Sequence, residues 1–309
     1  MQSMSSVLYS PLQETQKICM ITGGTDGIGK EVALQIAHLG HRVIIVARNY
    51  DKGKKIEAEF NQLPNTLNNT VEFLQADLSL MSENRHVAAE FYTKYPRLDL
   101  LINNAGVFSP VRRETTEGLE LSFALNYLSP FLLTNLLLPA LTVSSGARII
   151  NIASVDHKLA KIRFKDLQSH RFPLGSRAYG QSKLALVMFT RALAQKLRST
   201  SITVNALHPG IIRTNITNKT PGLEGFITKL LVKIVGTPMR TCVKNIVNFS
   251  LSPKYEQVTG AYYSKGRIGH CSWRAKNQQN IKRLWNISEQ LLEIDTSPLF
   301  PEPESNSLP

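Results

Sequence analysis

Short runs of almost unbroken apolar residues recur along this chain, separated by segments whose apolar positions return every three or four residues. "KICMIT" (17–22), "HRVIIVAR" (41–48), "VEFLQADLS" (71–79), "LDLLINNAG" (98–106), "ARIINIAS" (147–154) and "SITVNALHPG" (201–210) have the first character, with "VTGAYYS" (258–264) as a seventh. Such runs predict strands covered on both faces, because a strand with one wet face would alternate apolar and polar residues. Between the first two lies "GKEVALQIAHLG" (29–40), a helix by its period and its closing glycine. "DKGKKIEAEFNQL" reads as a charged surface helix and "SRAYGQSKLALVMFTRALAQKL" (176–197) as a long one. This alternation predicts an α/β fold, a doubly wound parallel sheet of about seven strands with helices on both faces. No repeat or linker interrupts the body, so 17–290 is expected to form one domain, after an N-terminal extension (1–16). The Pro/Ser/Glu-rich tail (291–309) is expected to be disordered.

Composition narrows the setting. The 309 residues are 42% hydrophobic, enough for a substantial core. No window holds about 18 unbroken apolar residues, so no membrane-spanning helix is expected. "MQSMSSVLYSPLQETQK" has no basic region followed by an apolar core, and no signal peptide is read there. Cys19, Cys242 and Cys271 are widely spaced and odd in number, which fits a reducing, cytoplasmic setting without a disulfide framework. The net charge of +13 is uneven: Arg213 to Arg283 holds thirteen Lys/Arg against two acids. That window reads as a solvated basic face, or as one that meets an anionic cofactor, an anionic membrane surface or nucleic acid. No nucleic-acid motif accompanies it, so no nucleic-acid partner is expected. The seven histidines form no metal-ligand spacing, and no metal is expected.

The candidate chemistry begins at "TGGTDGIG" (22–29), directly after the first strand. Gly23, Gly27 and Gly29 let a phosphate approach bare backbone at a helix N-terminus; a tight strand–helix turn would need similar residues. Asp26 inside the loop is a counter-signal, since a carboxylate repels phosphate. At the end of the second strand an acid would hold a ribose 2′-hydroxyl. Here Ala47 stands at that place and Arg48 follows, which favours a 2′-phosphate and so NADP, unless Arg48 is only a surface residue. Tyr179 and Lys183 lie four apart on one face of the long helix. An ammonium near a phenol lowers its pKa, so the pair could exchange a proton with an alcohol or carbonyl oxygen. Ser154 ends the fifth strand, where it could hydrogen-bond a substrate oxygen or cap a turn. Asn126 lies in the apolar "LSFALNYLSPFLLTNLLLPAL" and must find partners; spacing leaves open whether it is structural or catalytic.

In order and spacing, "TGGTDGIG", Asp77–Leu78, "NNAG" (103–106), Asn126, Ser154, "YGQSK" (179–183) and "HPG" (208–210) resemble the short-chain dehydrogenase/reductase family over about 17–290. Within it, "ARN" followed by "KG", "YGQSKLA" and the closing "RAKNQQNIKRLWNISEQLL" are similar to the retinol dehydrogenase-like branch. The resemblance implies a Rossmann-type fold and an NADP(H)-dependent oxidoreductase acting on a retinal-like, steroid or aliphatic carbonyl or alcohol. It implies Tyr179 as general acid/base, Lys183 as its partner and a hold on the nicotinamide ribose, Ser154 to orient the substrate oxygen, and Asn126 to hold Lys183 through a water. Cofactor contacts are implied at Gly23, Thr25, Asp26, Gly27, Ile28, Gly29, Arg48, Asn49, Asp77, Leu78, Asn104, Ala105, Gly106, Tyr179, Lys183, Pro209, Gly210 and Thr214. It also implies a substrate lid at about 213–236, where "EGFITKLLVKIVG" predicts an apolar helix face. That helix would cover the substrate, with a peripheral membrane contact as the sharper reading. A homo-oligomer is a family-level expectation. The rival reading is a non-catalytic NADP-binding regulator on the same fold.

Overall fold

The computed structural model describes residues 16–63, 69–210 and 237–300. One sheet of eight strands runs in the order β3-β2-β1-β4-β5-β6-β7-β8. Its strands are β1 (Ile18–Thr22), β2 (Arg42–Ala47), β3 (Thr70–Gln75), β4 (Leu100–Asn103), β5 (Arg148–Ile152), β6 (Thr203–His208), β7 (Tyr262–Ser264) and β8 (Arg267–Gly269). Pairing is parallel from β3 through β7, and β8 alone is antiparallel, to β7. The doubly wound Rossmann-type sheet read from the sequence is therefore present, with one strand more than expected. That strand is turned back by Lys265 and Gly266, both at positive φ (52° and 76°). Two left-handed residues make the two-residue hairpin turn whose twist matches its strands. "KG" is a weaker signal for it than "NG", and the strand is three residues long.

The long apolar strands bury both faces. On one face Ile21, Val43 and Ile45 pack with Val32 and Ile36 of α1 (Gly27–His38), Ile56 and Phe60 of α2 (Tyr50–Asn61), and Ile246 and Phe249 of a later helix, Met239–Leu251. On the other, Met20, Ile44 and Ile149 pack with α3 (Met81–Lys94), α4 (Leu121–Val143) and α5 (Gly175–Lys196). With Met239–Leu251 as α6, the closing helix is α7 (Gln278–Leu292). By length and composition α4 could cross a membrane, but 89% of its most apolar window is buried inside the protein. Its apolarity is that of a core helix.

Two strands end earlier than their apolar runs suggest. β3 stops at Gln75 because the Asp77 carboxylate accepts hydrogen bonds from Ser79 N (3.0 Å) and Ser79 Oγ (2.7 Å), which turns the chain. β4 stops at Asn103, where the next peptide turns toward the glycine loop. The acidic tail, expected to be disordered from 291, instead packs as far as Phe300. Thr296 is buried and accepts from Trp285 Nε1 at 3.1 Å, and Phe300 meets the Trp285 ring edge-on. Residues 213–236, the expected lid, and the rest of the tail lie outside the described residues.

Candidate active site

Between β1 and α1 the chain turns on Gly23 (φ +68°) and Gly27 (φ +52°), conformations that glycine adopts without strain. A Cβ on Gly29 would stand 2.2 Å from Gly23 O and 2.4 Å from Asn104 Nδ2, so the first turn of α1 packs directly on the loop. A Cβ on Gly27 would meet nothing within 4 Å. Bare backbone therefore faces open space at a helix N-terminus, whose unpaired N–H groups suit an anion. Thr25 is buried in the same loop and Ile28 packs on the core.

Asp26 does not oppose an anion there as its position in the loop suggests. One oxygen accepts from Gly27 N (2.8 Å) and caps α1; the other lies 2.8 Å from Lys52 Nζ. The Lys52 hydrogen bond is the largest cause holding this carboxyl below its ordinary range. At the end of β2, exposed Arg48 reaches Asp77 (Nη1 to Oδ2 3.6 Å), and Asn49 caps α2 by accepting from Lys52 N (2.8 Å). Leu78 is buried beside them.

The loop after β4 ties this cradle to the rest of the site. Asn104 Nδ2 donates to Thr22 O (2.8 Å) and Gly23 O (3.2 Å), while Thr22 Oγ1 accepts from the Asn104 and Ala105 amides (3.0 and 2.9 Å). Two residues on, a Cβ at Gly106 would lie 3.1 Å from Asn126 Oδ1 and 3.4 Å from Lys183 Nζ. A continuous surface thus runs from the glycine loop to the Tyr/Lys face of α5. Asn126 is placed by a π-helical turn, Ala124–Leu128. Its amide accepts from Val107 N (2.8 Å) and donates to Val107 O (2.9 Å) and Ser182 Oγ (3.0 Å). These contacts pin the 106–107 segment rather than reach Lys183 directly.

Lys183 is buried and donates to Ile152 O at 2.8 Å, at the carboxyl end of β5. Burial draws its ammonium down to about 8, against the pull of Asp156. The Tyr179 phenol moves the other way from the expected lowering. Burial pushes it up to about 12; Ser154 opposes this through a hydrogen bond and the Asp156 charge adds to it. The Tyr179 ring meets Phe108 edge-on, centroids 5.5 Å apart, which gives the site an apolar wall. Ser154 caps the short Val155–Lys158 turn and donates to Asp156 Oδ2 at 2.6 Å. Pro209 and Gly210 follow β6; Gly210 has φ +105° and a Cβ there would stand 2.5 Å from Thr237 Oγ1. Thr214 lies outside the described residues.

A family model described as short chain dehydrogenase matches residues 17–222. The chain belongs to the short-chain dehydrogenases. Retinol dehydrogenase 12 of Mus musculus is 37% identical over 291 residues, covering 93% of this chain and 90% of that one, which places this short-chain dehydrogenase among the retinol dehydrogenase-like members. Among solved structures, a Mycobacterium Paratuberculosis protein of uncharacterised function superposes with TM-score 0.72 at 28% identity, covering 93% of this chain and 95% of that one. The RhlG/NADP active-site complex of Pseudomonas aeruginosa gives TM-score 0.66 at 26% identity, over 81% of this chain and 94% of that one. This short-chain dehydrogenase is accordingly an oxidoreductase acting on CH–OH or C=O, from a family that binds a nicotinamide cofactor.

Several site-forming residues escape sequence reading. Thr22 stands in the glycine motif, yet only the fold shows its hydroxyl accepting from two amides 82 and 83 residues away. His157 is fully buried; its Nδ1 lies 2.6 Å from Ser154 O and its Nε2 accepts from Ser272 N at 3.1 Å. The acceptor role of Nε2 places the ring proton on Nδ1, and burial is the main cause lowering its pKa. Nothing in the spacing marks it.

The buried Lys183 ammonium has a measurable consequence. Between about pH 8 and its ordinary 10.5 the unfolded chain binds a proton that the folded site has shed, so Lys183 contributes a stability that rises with pH across that window, opposed there by the thiols of Cys19 and Cys242 and phenols such as Tyr127, which burial raises. The rise should amount to about 3 kcal/mol at most. Lys183→Met is expected to unfold at higher urea than the parent at pH 7 and to lose that rise. Urea titrations of both proteins from pH 7 to 10.5 check it; an unchanged slope in the variant would assign the rise to other groups.

Proposed function

We propose that this short-chain dehydrogenase uses NADP(H) to interconvert an alcohol and a carbonyl on an apolar substrate of the retinal-like, steroid or aliphatic class. The observation that carries the reading is the continuous surface from the open glycine loop, through Asn104 and Gly106, to Lys183 on the Tyr179 face of α5. The residues fit such a cofactor: bare Gly27 at a helix N-terminus for the pyrophosphate, Arg48 for a 2′-phosphate, and Gly106 beside Lys183 for the ribose. Support comes also from the NADP complex of the Pseudomonas aeruginosa neighbour and from the name of the mouse relative.

The cofactor, when bound, supplies or accepts the hydride at the substrate carbon. The chain's own residues handle the proton. In reduction Tyr179 Oη gives its proton to the oxygen that becomes the alcohol; in oxidation the phenolate takes it back. A phenol held up to about 12 by burial is ready as the acid. A cationic ligand beside it, together with the Lys183 ammonium, would favour the phenolate and bring it toward use as a base. Ser154 orients the substrate oxygen, Asn126 keeps the 106–107 segment in register with Lys183, and Phe108 excludes water from one side.

Titration with NADPH and with NADH, followed by nicotinamide fluorescence, tests the cofactor assignment. NADPH is expected to bind about 10-fold tighter, roughly 1.4 kcal/mol, and Arg48→Ala to remove most of the difference. Equal binding of the two, unchanged in the variant, would overturn the NADP preference. Binding of neither would overturn the enzyme reading.

A further inference from the structure

Fully buried His157 stands between two backbone groups that are far apart in the chain. Its Nδ1 lies 2.6 Å from Ser154 O, and its Nε2 accepts from Ser272 N at 3.1 Å. A neutral imidazole carries one ring proton, so a ring that accepts at Nε2 donates from Nδ1. Neither bond can be reversed, because a carbonyl oxygen only accepts and an amide N–H only donates. Tyr262 of β7 packs on the ring, centroids 4.7 Å apart. A second ring proton would face the Ser272 N–H, and burial already disfavours the cation.

Ser272 is a firm anchor. It is buried, its hydroxyl accepts from Arg274 N (3.2 Å), and its carbonyl accepts from Ala275 N (3.0 Å). Ala275 is itself fully buried in the core. At the other end, the amide of His157 also reaches Ser154 O, but at 3.4 Å. That is beyond the usual range of about 2.7–3.2 Å, so the ring is the stronger hold on this carbonyl.

We propose that His157 is a positioning residue: as the Nδ1–H tautomer it ties the Ser154 backbone to the Ser272–Ala275 segment, so that the closing part of the chain sets where the candidate serine stands. The inference rests on the reading of Ser154 as the group that orients the substrate oxygen. A side chain moves with its own backbone, and a misplacement of about 1 Å in a positioned group can cost about 10²-fold in rate. Such groups hold their place only when a supporting shell of hydrogen bonds fixes them. His157 supplies that shell from a part of the chain that sequence spacing does not connect to the site.

Three substitutions separate this tie from space-filling. His157→Asn puts an amide N–H near the place of Nδ1 and keeps the donor to Ser154 O. His157→Gln puts an amide oxygen near the place of Nε2 and keeps the acceptor for Ser272 N. His157→Phe keeps the ring and neither bond. With NADPH affinity unchanged in all three, kcat is expected to fall about tenfold in the Asn and Gln variants and most, about 10²-fold, in the Phe variant. A space-filling role would rank them by shape, with Phe least affected, and that order would overturn the proposal. In a Ser154→Ala background the differences among the three should shrink toward none, since the serine they place has lost its hydroxyl. Undiminished differences there would also overturn it. Two readouts stand apart from turnover. Hydrogen exchange at the Ser272 amide should speed up in the Asn and Phe variants and stay near the parent rate in the Gln variant. In ring-labelled histidine, the resonances lost in His157→Gln identify this ring, which should carry its proton on Nδ1 at pH 7. A proton on Nε2, or exchange alike in the Asn and Gln variants, would overturn the tie even if no substrate had been found or the Phe variant did not fold. Failure of the parent to turn over any alcohol or carbonyl with either nicotinamide would instead count against the function reading.

Discussion

Replacing Tyr179 by Phe is expected to abolish turnover and leave NADPH binding nearly intact. The change deletes one oxygen and keeps the ring, so the edge-on contact with Phe108 and the packing of α5 persist. What goes is the phenolic proton next to Ser154. General acid–base groups contribute about 10²- to 10⁴-fold, and the loss should fall in that range or beyond it. Tyr179 is half-buried and its ring stays in place, so the variant should keep a stability within about 1 kcal/mol of the parent. Initial rates with saturating NADPH, beside a fluorescence titration of the same preparation, check both halves. Turnover within tenfold of the parent would show that another group moves the proton.

Gly29→Ala should be the most damaging single methyl in the cofactor cradle. Its Cβ would stand 2.2 Å from Gly23 O, a backbone atom that cannot swing aside, and 2.4 Å from Asn104 Nδ2, which holds that same loop. Overpacking of a close-fitted site costs about 1–3 kcal/mol even where side chains can adjust. Here the loop must move, and with it the N–H groups that would meet phosphate. Gly27→Ala is the control: its Cβ meets no atom, and only the left-handed φ of +52° is penalised, at about 1 kcal/mol. Both variants are expected to bind NADPH much more weakly. A clear drop in thermal midpoint without cofactor is expected of Gly29→Ala, with a smaller one for Gly27→Ala. Retained NADPH affinity in Gly27→Ala would mean that the open space at that Cα is not where the phosphate lies.

Each part of the molecule was legible to the degree that local physics decides it. Continuous apolar runs such as "HRVIIVAR" marked strands, since only a sheet covered on both faces tolerates them. The period of "GKEVALQIAHLG" marked a helix for a similar reason. Strand ends were less legible: the run "VEFLQADLS" continues past Gln75, and only the Asp77–Ser79 turn shows where pairing stops. The β7–β8 hairpin is too short for periodicity and relies on positive φ at a lysine, which carries no signature in sequence.

The site divides in the same way. Glycines at fixed spacing, an arginine after the second strand, and a tyrosine four residues before a lysine are local patterns, and they nominated the groups. Their electrostatics were not local. Asp26 reads as a repulsive carboxylate until the fold brings Lys52, 26 residues away, to its oxygen. Lys183 reads as an ammonium that lowers a neighbouring phenol. In the folded chain it is buried against Ile152 O and drawn toward neutrality, while Tyr179 is pushed up. Sequence alone determined the layered α/β architecture and the family, and it nominated the chemical types for the candidate site, because period, backbone permissiveness and residue chemistry are properties of short stretches. Tertiary structure alone decided which carboxylate faces which cation, which histidine braces the serine and where each proton is held, because desolvation and hydrogen-bond direction depend on atoms that meet only when distant segments pack.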